Sequence, residues 1–442
     1  MTETEATTEE SWLVRYGREH VPHLLVIAFL ALYPGLYTLA VGLSLPAPLG
    51  WVPDLLYAVL PRVDTMIVVL YFGLFAMSFD FVSGYTGYLS FGHAVFFGTG
   101  AYTVVLAANG LLPFVPSGTP FLLLLVLAGL LAVALAFAIG AVSFRLSGVY
   151  FAMITLGVSQ VVYVFVRDWD YVGPNPKDGI SVSFDLHPGA FEIGVPFVDA
   201  LGLGIGKLTG DTLAIAGLEL STVEVSYYCI GLVVLVCYFA MQRVIHSPFG
   251  KVMLAIRENE ERARAVGYDT YRYKLVAFAV SAFFAAVAGG LFAGYSRAVS
   301  PDETFFFLVT GDALLVSIIG GFGTLAGPLF GTWFDELLRE FLSKEGTGGG
   351  LLPFLQEYLP QSVLDAVILN GMTVGEAVDT FLNGHASLYL GLLFVLFVLF
   401  VPNGLLGTVR ERAGGRVSKR VAARLRSRGG TETARGTASE DD

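Results

Sequence analysis

Ten stretches of this chain are long and apolar enough, or nearly so, to cross the roughly 30 Å hydrocarbon core of a bilayer. They run at about 23–43, 63–82, 88–108, 121–143, 148–166, 225–242, 274–295, 304–320, 325–341 and 386–402. In lipid such a segment can satisfy its backbone polar groups only through its own i to i−4 ladder, so each is expected to be a helix. Composition agrees. With 55% hydrophobic and 14% charged residues, the chain has too little polar surface to coat a water-soluble globule. Its 52 glycines and 35 phenylalanines suit helices that approach closely in lipid. The expected fold is an all-α integral membrane protein of about ten transmembrane helices. The eighth and ninth segments are short and joined by Gly320-Gly321-Phe322-Gly323-Thr324, so they read as two spans or as one re-entrant element.

Basic residues orient the bundle. With the N-terminus inside, 19 of the 26 lysines and arginines fall on the cytoplasmic side, in the N-terminal tail, at Arg145, from Arg243 to Lys274, and from Arg410 onward. The expected organisation is an acidic cytoplasmic tail over 1–22, a membrane domain over 23–409 and a basic cytoplasmic tail over 410–442. Long outside loops occupy 168–224 and 343–386, and a cytoplasmic loop occupies 246–269. The net charge of −11 is unusual for such a chain and is read as solvated tails or as the mark of a halophilic archaeal source.

The chain carries no motor of its own. Gly202–Thr209 (GLGIGKLT) resembles a phosphate-cradling loop, but Leu208 stands where Ser or Thr is required. The six histidines are scattered and the two cysteines, Cys229 and Cys237, share one apolar stretch, so no metal site or nucleophilic triad is expected. An enzyme is not expected.

The loop from His246 to Asp269 carries the most local information. Ser247 followed by Pro248 reads as a helix N-cap and first turn. Phe249, Val252, Met253 and Ile256 fall on one face of that helix. Asn259 can cap a second turn from Glu260 to Val266, closed by Gly267 in a left-handed conformation. Glu258–Arg262 and Glu260–Arg264 are expected as i,i+4 ion pairs, worth ~0.2–0.5 kcal/mol each. Two short amphipathic helices at a membrane face lie in the lipid interface or dock in a partner's groove.

Four stretches carry a resemblance. They are Gly84–Thr103 (GYTGYLSFGHAVFFGTGAYT), Leu146–Leu156 (LSGVYFAMITL), Ser247–Gly267 continuing through Tyr273–Phe278 to Ala288-Gly289, and Gly320–Pro328 (GGFGTLAGP) with Val401–Gly404. In this order the chain resembles the LivM-type permeases of branched-chain amino-acid ABC importers. The resemblance implies a type II-like importer fold in the cell membrane. It also implies a second, LivH-like permease, two ATP-binding subunits that use the ATP, and an extracellular substrate-binding protein. No cofactor or nucleic acid is expected for this chain, and membrane lipid is its remaining partner. The loop is then a coupling loop, with Phe249, Gly250, Ile256, Arg257, Glu258, Glu261, Ala263 and Gly267 as contacts to an ATPase subunit. Arg262 interrupts its expected glutamate-alanine pair, and Gly173-Pro174-Asn175-Pro176-Lys177 departs from the usual stretch before Asp178-Gly179. The exact substrate is therefore open, with urea or short amides as the alternative cargo. A self-contained secondary transporter is the rival class, disfavoured by the scarcity of mid-span charges.

Glycines at 84, 87, 92, 98 and 100 are read either as packing points or as a broken helix lining a path. On the second reading Ser90, Gly92, His93, Gly98 and Thr99 form the translocation path. Asp80, near the inner end of its span, is expected to face the bundle interior or the cytoplasmic water, with snorkelling toward the interface the preferred reading.

Overall fold

The computed structural model describes residues 27–40, 42, 51–116, 119–173, 175–182, 212–215, 218–342 and 386–400, with short pieces between 360 and 376 and at 404–405. Both tails, the Gly202–Thr209 stretch and most of the two long loops expected outside lie beyond the described residues. Helices stand at each of the ten apolar stretches. They are α1 (Ile27–Ala40), α3 (Val63–Thr86), α4 (Ala94–Ala108), α5 (Phe121–Ser143), α6 (Val149–Arg167), α7 (Thr222–Ile245), α10 (Thr270–Ser296), α12 (Phe307–Gly320), α13 (Gly327–Leu342) and α14 (Ala386–Phe400). Between them lie α2 (Trp51–Val59), the loop helices α8 (Pro248–Glu258) and α9 (Glu260–Ala265), and a single turn α11 (Pro301–Thr304). Among the described residues six helical stretches are long and apolar enough to cross a membrane, one of them α11 and α12 taken together.

Sequence reading placed a helix at each apolar stretch but missed α2 and the late start of α4. Residues 87–93, expected inside a span from 88, form an irregular connection before Ala94. Gly87, at φ +78°, ends α3 there, in the left-handed region that costs glycine no Cβ clash. Short antiparallel ribbons also interrupt the all-α expectation. Strand β1 (Ile180–Ser181) pairs with β4 (Ala298–Val299), β2 (Thr212–Ile215) with β3 (Leu218–Ser221), and β5 (Val367–Leu369) with β6 (Met372–Thr373).

Helices α3, α4 and α10 form the centre of the bundle, buried along most of their length. Helices α5, α6 and α7 pack around them and leave a wide apolar face exposed, as lipid-facing helices do. A Cβ at Gly100 would strike the Ala286 carbonyl, and one at Gly289 the Phe97 carbonyl. Helices α4 and α10 therefore meet backbone to backbone, and glycine on both sides permits it.

Cross-chain contacts sort the helix ends into two sets. At one end Arg62 pairs with Glu340 (2.9 Å), Tyr295 donates to Asp64, and Asn109 donates to the Ser181 carbonyl (3.2 Å). At the other, Arg257 reaches Gly84 and Gly323 reaches Asp80. These contacts resolve the α12–α13 question. The turn at 321–326 lies against the Gly84 end of α3, while Glu340 returns to Arg62 at its opposite end. The pair is a helical hairpin along the length of α3, and close approach of Gly331 to the Val316 carbonyl binds its arms together.

Candidate coupling site

The 246–269 loop folds as its local chemistry dictates. Ser247 adopts extended backbone and caps α8 through the Gly250 amide (3.5 Å), with Pro248 in the first turn. Asn259 ends α8 and caps α9, its Oδ1 accepting from the Arg262 amide (2.8 Å). Gly267 (φ +101°) closes α9. Its amide donates to the Arg264 carbonyl (2.9 Å) and that of Tyr268 to the Ala263 carbonyl (3.2 Å), the paired bonds of a Schellman turn.

The apolar face turns inward. Val252, Met253 and Ile256 are buried, and Ala263 of α9 joins Val252 and Ile256 in one cluster. Phe249 stacks on Tyr273 at 5.3 Å. Gly250 packs so closely on the end of α7 that a Cβ would strike the Ile245 carbonyl. The loop helices thus pack on the ends of the membrane helices rather than lying free.

Two polar ties fix them. Glu260 is the centre of the first. Its Oε1 accepts from Lys274 Nζ (2.7 Å), Thr270 Oγ1 (2.9 Å) and Arg264 (3.1 Å), and its Oε2 from the Tyr88 hydroxyl. Lys274 is 3% exposed and also donates to Tyr88 Oη (2.9 Å), with its ammonium 4.3 Å from the centre of the Tyr88 ring. Burial alone would raise the Glu260 carboxyl, but the bonds from Lys274, Tyr88 and Thr270 outweigh it and hold the group below its ordinary range.

The second tie runs deeper. The Arg257 guanidinium donates to the Gly84 carbonyl (2.6 Å) at the end of α3. One turn up α3, Asp80 Oδ1 accepts from the Gly323 amide (2.8 Å) in the α12–α13 turn. A Cβ at Gly404 would meet the Gly321 backbone, which joins the two separated parts of the last sequence stretch. Asp80 is fully buried and does not snorkel; its Oδ1 is held by the Gly323 amide, while among the described residues its Oδ2 has no hydrogen-bond partner.

The eight expected coupling residues divide accordingly. Phe249, Gly250, Ile256 and Ala263 pack the loop onto the membrane domain, and the Arg257 guanidinium is engaged with Gly84. Glu258, Glu261 and Gly267 face outward, beside Val266 (74% exposed) and Tyr268 (43%). Among the described residues the Glu260–Arg264 pair forms and Glu258–Arg262 does not. The extended backbone at Asn259 puts those two residues on separate helices. Sequence reasoning missed Tyr88, Thr270 and Lys274. A lysine inside the start of an apolar span was the signal, since such a charge demands a partner.

The stretch expected to line a path is packed. Ser90, Gly92, His93 and Gly98 are buried and Thr99 is half-buried. His93 Nε2 lies 3.3 Å from Ser78 Oγ and 3.1 Å from Ser281 Oγ, ringed by Phe75, Phe79 and Phe96. A Cβ at Gly92 would meet the Thr155 backbone and one at Gly98 the Phe305 ring. Thr99 returns its hydroxyl to the Val95 carbonyl (2.7 Å). In this conformation these residues join α4 to α3, α6 and α10.

Residues 62–345 match the family described as the permease component of the branched-chain amino acid transport system. The chain is 29% identical over 334 residues to the high-affinity branched-chain amino acid transport system permease protein LivM of Escherichia coli K12, covering 71% of this chain and 73% of that one. A probable branched-chain amino acid transport permease protein LivM of Methanocaldococcus jannaschii is 25% identical over 72% of this chain and 81% of its own. The autoinducer 2 import system permease protein LsrC of Photorhabdus laumondii is 31% identical over 24% of this chain and 33% of its own. No solved structure matches the chain.

Proposed function

Because the chain belongs to the branched-chain amino acid transport permease family, we propose that it is the membrane-spanning subunit through which an ATP-driven importer passes branched-chain or closely related amino acids. Its partners on this reading are two ATP-binding subunits, a second permease and an extracellular binding protein. The ATP is used by the partner subunits, and this chain binds no cofactor of its own. Both termini are cytoplasmic, and ten crossings form a type II-like importer domain.

One observation carries the mechanism. Helices α8 and α9 present Glu258, Glu261, Val266 and Tyr268 outward while Glu260 and Arg257 tie the same helices to α10, the 87–93 connection and α3. A partner gripping the outward face moves the inward ties with it. The exposed Val266 and Tyr268 supply the apolar anchors that helix-in-groove docking needs, with charged residues at the rim. Rotation of an ATPase subunit would then reach the ends of α3 and α10 as a rigid displacement. Interior packing of this density transmits displacement rather than absorbing it.

The reading is tested in vesicles holding this chain with its partners. ATP-dependent uptake of leucine, isoleucine or valine is expected, driven only with binding protein and ATP on their proper sides. Uptake of urea in place of amino acids would assign the alternative cargo, and uptake driven by an ion gradient without ATP would overturn the class.

A further inference from the structure

The Arg257 side chain lies along the end of α3 and points toward a carboxylate with which it is not paired. Its Cα, Cβ and Cγ stand within 3.9 Å of where a Cβ at Gly87 would be. Its Nη1 donates to the Gly84 carbonyl (2.6 Å), about one turn further into α3. Asp80 comes one more turn in. Its carboxylate leans back toward the same place, since a Cβ at Gly84 would strike Oδ1, and Oδ1 accepts from the Gly323 amide (2.8 Å). A Cβ at Gly323 would in turn strike Arg257 Nη1. Arg257 and Asp80 thus border the same two glycines, neither of which puts a side chain between them.

The charges are left mismatched. Arg257 bonds a neutral carbonyl although it is the cation acting on Asp80. Among the described residues no ion pair joins the two. Asp80 is fully buried, yet its Oδ2 has no hydrogen-bond partner, and neither has the buried Ser83 hydroxyl three residues on. An unmet carboxylate oxygen in the interior is costly, and a guanidinium meets both oxygens at once through two parallel bonds. The two residues also differ in freedom. Asp80 sits in the central helix of the bundle, whereas Arg257 is exposed and rides on a loop helix.

We propose that Asp80 is a positioning residue for coupling. When the loop is pressed toward the membrane domain, the Arg257 guanidinium passes from the Gly84 carbonyl to the Asp80 carboxylate, and that ion pair holds the loop in its second position. The inference rests on the permease reading and on docking of the loop to an ATPase subunit. It adds a second partner for Arg257 and a second state.

Asp80→Asn keeps an acceptor for the Gly323 amide and removes the charge, so it tests the pair and not the resting contact. In vesicles holding the whole importer it should assemble as the wild type does. The maximal rate of leucine uptake should fall about tenfold, with the half-saturating concentration unchanged. Arg257→Gln should do the same, and the double variant should be no worse than either, because both remove one interaction. If Oδ2 instead carries a proton or a bound water throughout the cycle, Asp80→Asn is nearly silent, and uptake close to wild type would overturn the inference. So would a loss of about a hundredfold in the double variant, the mark of two independent contributions. A second measurement leaves both residues in place. Spin labels at Lys251→Cys on α8 and Phe322→Cys beside Gly323, both exposed positions, report the distance across the contact in a background lacking Cys229 and Cys237. ATP binding should change it by several ångströms, up to the ~5 Å rise of one turn. An equal distance in the nucleotide-free and ATP-bound importer would overturn the inference whether or not Asp80→Asn assembles. Wild-type vesicles without ATP-driven uptake would instead count against the permease reading itself.

Discussion

The Arg257 guanidinium and the Gly84 carbonyl meet at 2.6 Å, joining α8 to the last turn of α3. Gly84 itself is pressed between Asp80 and the Gly323 backbone, so this bond holds three sequence-distant segments at one point. A charge-assisted bond of this kind contributes about 1.5–3 kcal/mol.

Removing it tests whether force passes this way. Arg257→Ala should lower substrate uptake about tenfold while ATP hydrolysis by the partner subunits continues, because the motor then turns against a loosened arm. Arg257→Lys should recover little, since an ammonium is a compact point charge and not a planar fork. Uptake and hydrolysis measured on one reconstituted preparation decide it, and unchanged coupling in Arg257→Ala would remove this bond from the mechanism.

The Glu260–Lys274 pair makes a stability prediction. Glu260→Gln leaves Lys274 buried beside a weaker acceptor and should cost up to about 3 kcal/mol, read as a lowered unfolding midpoint of the purified chain. Lys274→Met should be milder, because the Glu260 side chain keeps 21% exposure and can reach water. The double variant should recover part of the loss. Additive costs would show that the two charges do not act as a pair.

The pH dependence of that pair has a definite sign. The folded Glu260 carboxyl sits below its ordinary value, so the stabilisation is fully present above the unfolded value near ~4.3 and is lost as pH falls through the folded one. Unfolding midpoints should therefore be insensitive to this group from about pH 6 to 8. The wild type should lose its advantage over Glu260→Gln only in acid. A difference between the two that grows toward alkaline pH would contradict the assignment.

The loop and the membrane domain were legible in the sequence to different depths. Ser247, Pro248, Asn259 and Gly267 announce their conformations through local chemistry, and each is found in the expected role. Hydrophobic runs gave the helices for the same reason, since lipid imposes one backbone solution on apolar segments. Partners across the bundle were not legible. Nothing adjacent to Lys274 names Glu260 or Tyr88, and nothing near Asp80 names Gly323. The glycines of 84–100 looked alike in sequence but differ in place. Gly87 needs its left-handed backbone, Gly92 and Gly98 face a backbone and a ring, and Gly100 admits another helix. Whether a glycine packs or lines a path depends on what stands opposite, and that is a tertiary fact.

Two loop glycines separate strain from docking. Gly267→Val forces a branched side chain into left-handed backbone and should cost ~1 kcal/mol or more at the exit of α9. It clashes with no neighbour, so the chain should insert and assemble while substrate-stimulated hydrolysis falls. Gly250→Ala instead drives a methyl into the Ile245 carbonyl and should lower the stability of the chain itself by about 1–3 kcal/mol. Equal effects of both variants on stability alone would deny Gly267 a part in coupling.

Orientation is the last expectation, and it follows from the two sets of helix ends. Lys177 stands at the end where β1 meets β4, and Val266 at the end where Arg257 meets Gly84. Both are exposed, so neither needs the protein to open before a reagent arrives. With Cys229 and Cys237 removed, a cysteine at 177 should label in intact cells with a membrane-impermeant thiol reagent. One at 266 should label only after permeabilisation, and in the assembled importer only slowly, as the proposed docking of an ATPase subunit would cover it. The excess of basic residues on the Val266 side predicts this sense. Labelling of 266 from outside would invert the bundle and take the coupling face away from the ATP. Equal labelling of 266 with and without the ATPase subunits would keep the topology and leave the outward face of α9 without its partner.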